Sequence, residues 1–276
     1  MKHIRLKRSG ICPLCKTHKD LVHSHGIPAG VTRSMQEKSD NETPLSITAS
    51  ITLSTSRQFQ DFVFCLDCED KLNRGGESWV IANMARSDTF LLFDALMRAR
   101  YVRQYEDGYV FETADSPDID TDKLAYFGLS MFWRLSVHDW QGIDGFKRRL
   151  GLDDYQEPIR LFLDGTGPFP SDVVMGVSVW PNKDAVQHGT YLPRLDRTEP
   201  YHIYSYYLPG ISFIMHTGSE IDQETRDLCC YAGPGNPVFT SGDVAGRTDR
   251  FLAALARNSR PSRSLLRKLT TALVKE

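Results

Sequence analysis

The sequence has no long apolar run. Stretches such as Phe90 to Phe93 are far short of the about 20 residues that span a bilayer, so no membrane-crossing segment is expected. It has no excess of charge either. Lys and Arg number 33 against 35 Asp and Glu, a formal net charge of −2, which excludes a uniformly basic nucleic-acid coat. The start is basic (Lys2, Arg5, Lys7, Arg8), but no apolar stretch of about 7–15 residues follows it. A secretory signal is therefore not expected, and a cytoplasmic setting is. GxGxxG, GxxxxGK[ST] and GxSxG are all missing, so no dinucleotide, P-loop or nucleophile-elbow chemistry is read. No internal repeat is visible. With 41% hydrophobic and 25% charged residues over 276 positions, fibrous and globally disordered classes are excluded. A sizeable core is expected, in one large domain or two modest ones.

What charge there is lies unevenly. Residues 1–40 carry eight Lys/Arg against three Asp/Glu, and residues 247–276 carry eight against two, whereas residues 105–166 carry thirteen acidic against six basic. Basic termini around an acidic middle suit contact with DNA or RNA phosphates. They equally suit solvated helix faces.

The six cysteines are the most informative feature. Four form two pairs, Cys12-Pro-Leu-Cys15 and Cys65-Leu-Asp-Cys68, and Cys229-Cys230 are adjacent. Two residues between cysteines let one turn bring both sulfurs to a single ion. Two such turns complete a tetrahedral Zn²⁺ shell, so Cys12, Cys15, Cys65 and Cys68 are the expected metal ligands. His18, His23 and His25 are near enough in sequence for one to replace a cysteine. A structural zinc contributes about 10–16 kcal/mol of apparent folding free energy in peptide models. That is enough to order the polar segment between the pairs.

Lys38 to Arg57 is polar and reads as a loop, with a strand permitted at Ser46 to Leu53. From Glu69 the pattern is helical, interrupted at Gly75-Gly76, and Trp79 to Val102 reads as a longer helix. Tyr109 to Phe111 can form a short strand, Leu124 to Val137 an apolar helix, and Ile143 to Leu150 a short basic helix. Val173 to Trp180, Tyr201 to Leu208 and Ile211 to Thr217 read as strands, the last two joined by a turn at Pro209-Gly210. Ala232 to Pro237 is a loop, and helical patterns recur at Asp243 to Ala256 and Ser262 to Val274. A boundary near residues 103–120 separates a metal-binding region, 1–104, from an α+β region, 105–276.

Between the cysteine pairs lies Leu21-Val22-His23-Ser24-His25-Gly26-Ile27-Pro28. On a strand, His23 and His25 share a face. A histidine here has three possible roles: general base for water attack on a phosphodiester, metal ligand, or structural residue. CxxC, then His-x-Ile-Pro, then a CxxC that opens a helix resembles the zinc-containing HNH endonucleases of the ββα-metal class, with a treble-clef zinc segment. The resemblance implies that His25 is the general base. It also implies a Mg²⁺-like or other divalent ion, for which Glu69, Asp70 or Asn73 of this chain are the candidate oxygen ligands in place of the family's helical His or Asn. Asn41 is a candidate for the family's middle Asn, and Lys71 resembles its helical basic residue. Ser24 stands where the family has an acidic residue, and Glu69 stands where it often has His or Asn. Ser-His-x-Ile-Pro, Phe-Cys-Leu-Asp-Cys-Glu and Leu129-Ser130-Met131-Phe132-Trp133-Arg134 together also resemble a broad set of bacterial proteins. In these an HNH-like zinc segment precedes an α+β region.

Elsewhere, His138-Asp139 has no partner by spacing. The Tyr201, Tyr204, Tyr206 and Tyr207 cluster suits cross-strand pairing or base stacking. Arg257, Arg260, Arg263, Arg267 and Lys268 could face phosphates. The expected fold is α+β: an HNH-like zinc segment, then a small antiparallel sheet with flanking helices. Two functions follow from it. One is a metal-dependent endonuclease, and the other is a non-catalytic zinc module that binds nucleic acid or protein.

Overall fold

A computed structural model describes residues 8–38, 45–47, 51–55, 58–86, 89–105, 108–142, 147–179, 190–229, 238–241, 259–262 and 266. The architecture is α+β. β1 (Arg8–Ile11) and β2 (His18–His25) pair antiparallel, and β2 pairs with β5 (Gln60–Cys65). Between β2 and β5 come α1 (Ala29–Lys38), β3 (Leu45–Ile47) and β4 (Ile51–Ser54). The β2–β5 ladder carries a bulge, because Leu21 faces Cys65 but His23 faces Phe62. Val63 and Phe64 thus stand opposite Val22 alone. The strand alternation slips there, which is why Val63, Phe64 and Cys65 are all buried. Ser24 is fully buried and its hydroxyl accepts the Phe64 amide at 3.0 Å. The bulge therefore has its own hydrogen-bond partner.

β5 runs directly into α2 (Leu66–Leu72), a π-helical turn (Asn73–Glu77) and α3 (Ser78–Asn83). Gly75 and Gly76 do not interrupt this helix. They lie in the π turn, against the apolar helix α5 (Thr121–Ser136). A β-carbon on Gly76 would sit 2.5 Å from the Lys123 carbonyl oxygen, and one on Gly75 would overlap the Tyr126 ring. Glycine permits the close approach.

The expected helix over 79–102 is divided. α3 ends at Asn83, α4 is Leu91–Leu96, and β6 (Arg100–Tyr105) follows. The break is tertiary: the Ala85 amide donates to the Pro209 carbonyl at 3.1 Å instead of continuing the helix. β6 pairs with β7 (Gly108–Glu112), so the position 104/105 expected as a boundary falls inside a strand. β8 (Trp140–Gln141) and β9 (Lys147–Arg148) form a two-stranded ladder where a basic helix was expected, with residues 143–146 outside the described set. The Leu150 amide donates to the Leu135 carbonyl, which draws this segment back onto α5.

α6 (Gln156–Asp164) precedes β10 (Val173–Val179), β11 (Tyr191–Arg197), β12 (His202–Leu208) and β13 (Ile211–Thr217). The Pro209-Gly210 turn joins the last two, with Gly210 at φ 81° as the turn requires. α7 (Gln223–Asp227), β14 (Val238–Ser241) and β15 (Arg260–Pro261) complete the elements. The sheet is wider than expected: seven strands in the order β11-β12-β13-β10-β14-β7-β6, antiparallel except for β10 with β14. β15 pairs with β4, so the late part of the chain touches the insertion between β2 and β5. The loop expected at 232–237, most of the two C-terminal helices and Cys230 lie outside the described residues.

One hydrophobic cluster runs from Cys12 and Phe64 through α5 to Phe213 and Met215. Gly128 brings α5 onto the sheet, since a β-carbon there would lie 2.8 Å from Phe213 and 2.9 Å from Met175. Among the described residues no helix is long and apolar enough to cross a membrane.

Gly76→Ala is expected to lower the unfolding free energy by about 1–3 kcal/mol, because its new methyl meets helix backbone. Gly151→Ala, whose β-carbon would find nothing nearer than 3.9 Å, is expected to change it little. Urea unfolding of the two variants beside wild type measures the difference.

Candidate metal centre and the histidine beside it

The first cysteine pair sits on a tight turn. The Cys12 amide donates to the Thr17 carbonyl at 3.0 Å and the Lys16 amide to the Cys12 carbonyl at 2.9 Å. Lys16 closes the turn at φ 56°, the left-handed region. The second pair is carried by the end of β5 and the first turn of α2. All four sulfurs lie within 4.8 Å of one another, and no histidine among the described residues belongs to the cluster. A tetrahedron with metal–sulfur bonds of about 2.3 Å needs sulfurs about 3.8 Å apart, and Cys15 to Cys65 is 4.0 Å. Disulfides need about 2.05 Å, and these cysteines are free. The donor set therefore fits a metal ion such as zinc.

The surroundings favour thiolate at Cys12 alone, since burial pushes the Cys65 thiol up. A hydrogen bond from the Cys68 thiol and the Cys65 amide push Cys12 down, while the same partnership and burial push Cys68 up. α6 braces the turn: Arg160 Nη1 donates to the Leu14 carbonyl at 2.6 Å while its guanidinium grips Glu157. Lys71 of α2 reaches the Asp164 carbonyl and carboxylate at the end of α6, which takes it up in an inter-helix contact.

His25 is the last residue of β2, paired with Gln60, and is half-buried. His23 shares its face and stacks edge-on against Phe62 at 4.1 Å. Burial pushes the His25 imidazolium pKa below its usual value. Arg134, His23 and Arg33 add to this and Glu69 opposes it. At neutral pH the ring is neutral and able to accept a proton.

Around His25 lies a cluster that α2, the π turn and α5 build together. Arg134, 1% exposed, donates from Nη1 to the His25 carbonyl at 2.8 Å. Its Nη2 lies 3.3 Å from Glu77 and 3.7 Å from Glu69. Glu69 Oε1 is buried with no hydrogen-bond partner among the described residues. Burial pushes the Glu77 carboxyl up, and Arg134 works against it.

Asn73 is exposed and its Oδ1 accepts from Ser78 at 2.6 Å. Asp70 pairs with Arg74. Asn41 lies outside the described residues. His138, which spacing left without a partner, bonds Asp61 at 3.0 Å, 77 positions earlier. Sequence reasoning did not single out Arg134 or Glu77 as site residues. The one available signal was a charged side chain near the end of an otherwise apolar helix.

Cys229 is buried on the far face of the sheet, bonds the Thr225 carbonyl and has its thiol pushed up to about 12 by burial. It is an inert core thiol.

Fold and site together define an α+β protein with a four-cysteine cluster able to hold a metal ion and a histidine–glutamate–arginine cluster beside it. Comparison with protein-family models, curated proteins and solved structures finds no match to this chain.

Elemental analysis is expected to find one firmly held metal ion per chain. Cys68→Ser should lose most of it, and a strong chelator should lower the melting temperature of wild type, because site assembly is coupled to folding. Retention of the metal by Cys68→Ser would remove the four-sulfur centre.

Proposed function

We propose that this is a zinc-stabilised, HNH-like protein of treble-clef build that acts on nucleic acid as a divalent-metal-dependent phosphodiester hydrolase. The observation that carries this reading is the strand–strand–helix unit of β2, β5 and α2. Arg134 donates to the His25 backbone carbonyl and lies 3.7 Å from Glu69 Oε2, while Glu69 Oε1 is buried without a partner among the described residues. A buried carboxylate oxygen without a partner calls for a water or an ion, and Glu69 fits a hard divalent ion of the Mg²⁺ kind. Such an ion would supply charge to the phosphate and leaving oxygens. His25 takes the proton from the attacking water, a role that its lowered pKa suits at neutral pH. The Ser78 bond to Asn73 would have to be exchanged before Asn73 could serve an ion. The basic termini are the proposed phosphate contacts.

A second reading is a non-catalytic zinc module that binds nucleic acid or protein. It is favoured by Arg134, whose positive charge beside Glu69 already balances that carboxylate.

Cleavage of plasmid and single-stranded DNA with Mg²⁺, Mn²⁺ or Ni²⁺ separates the two. His25→Ala is expected to lose about 10²–10⁴-fold in rate while keeping its metal centre. Glu69→Gln should lose divalent-ion dependence. The wild-type rate should fall with acid only below about pH 6.5, the ordinary histidine value, since protonation of His25 is displaced downward. No cleavage with any of the three ions would leave the binding module.

A further inference from the structure

We infer that Arg134 is the positioning residue of this site: one buried guanidinium, delivered by the sheet-packed helix α5, sets His25 and Glu69 in register with each other. The inference rests on the hydrolytic reading and deepens it.

His25 and Glu69 belong to different elements, the end of β2 and the first turns of α2. Arg134 reaches both. Its Nη1 donates to the His25 backbone carbonyl at 2.8 Å and its Nη2 lies 3.7 Å from Glu69 Oε2 and 3.3 Å from Glu77 Oε2. The planar fork allows this, because its nitrogens hold fixed directions that a single ammonium cannot reproduce.

The arginine is itself held. Its charge lies over the Phe64 ring at 5.7 Å, and Phe64 stacks on Trp133 at 5.7 Å. The Arg134 carbonyl accepts the Trp140 indole N–H at 2.9 Å. Trp140 in turn packs on Gly26, where a β-carbon would lie 3.2 Å away. Arg134 at the end of α5 and Trp140 of β8 therefore grip residues 25 and 26 from two sides.

The contact with Glu69 is too long for a direct hydrogen bond. Both Glu69 Oε1 and Arg134 Nε are buried without partners among the described residues. This is the geometry of an arginine that orients a carboxylate through one oxygen and leaves the other for a ligand, the arrangement by which groups behind metal ligands tune them. It also gives the Trp133-Arg134 pair in the apolar helix a role beyond packing.

The test is Arg134→Lys in the full, metal-loaded chain, with metal content and thermal unfolding as fold controls. The two readouts are the ¹³Cε1 resonance of His25, assigned by its loss in His25→Ala, and the cleavage rate. The His25 resonance is expected to move while that of His202 stays. kcat is expected to fall about 10–100-fold with KM little changed. If Arg134→Lys folds and both the His25 resonance and kcat remain at wild type, the inference is overturned. If wild type cleaves nothing, the hydrolytic reading fails, and the His25 resonance alone decides the role of Arg134. Should Arg134→Lys fail to fold, Glu77→Gln takes its place. It loosens the fork from one side, and an unmoved His25 resonance there overturns the inference equally.

Discussion

The burial of α5 is the constraint on which the rest of the structure depends. From Leu124 to Ser136 only Tyr126 keeps appreciable exposure. One face lies on the sheet through Gly128, and another receives the π turn through Gly75 and Gly76. Each large apolar side chain buried this way contributes about 1.5–3 kcal/mol, so the two layers around α5 stabilise each other. The cysteine-bearing region is therefore not a finger on a tether. It shares a core with the seven-stranded sheet, and β6 runs through the position where composition suggested a division.

Within that apolar environment one charge is retained. A buried arginine is costly unless paired, and Arg134 has two carboxylates, a carbonyl and an aromatic face around it. The carboxylates come from α2 and the π turn that follows it. Regular helix would not present Glu69 and Glu77 to one guanidinium in the same way, since the wider turn changes the angular spacing between them. The cysteine-bearing element and the sheet-packed helix thus meet at a charged contact as well as an apolar one.

Much of this was legible from local pattern. The CxxC spacings pointed to the four-sulfur cluster, and alternation with β-branched residues pointed to β10, β12 and β13. The apolar run 124–137 pointed to α5. The failures have physical causes. Helical periodicity over 79–102 was real in composition but lost to the Ala85–Pro209 hydrogen bond. Gly75-Gly76 looked like a helix breaker because a sequence does not show the neighbour that fills the missing β-carbon's place. The hydrogen bond that the Ser24 hydroxyl accepts at the bulge was not a failed reading but a feature that only strand pairing reveals.

By itself, then, the sequence determined which four cysteines cluster and the type of most long elements. Both depend on spacings of two to four residues, which backbone geometry converts directly into shared faces. Only the tertiary structure decided what stands beside His25. Arg134 is 109 positions away from it and His138 is 77 from Asp61. No local periodicity encodes such pairs. They exist because the core is closed around α5, and that closure depends on every layer at once.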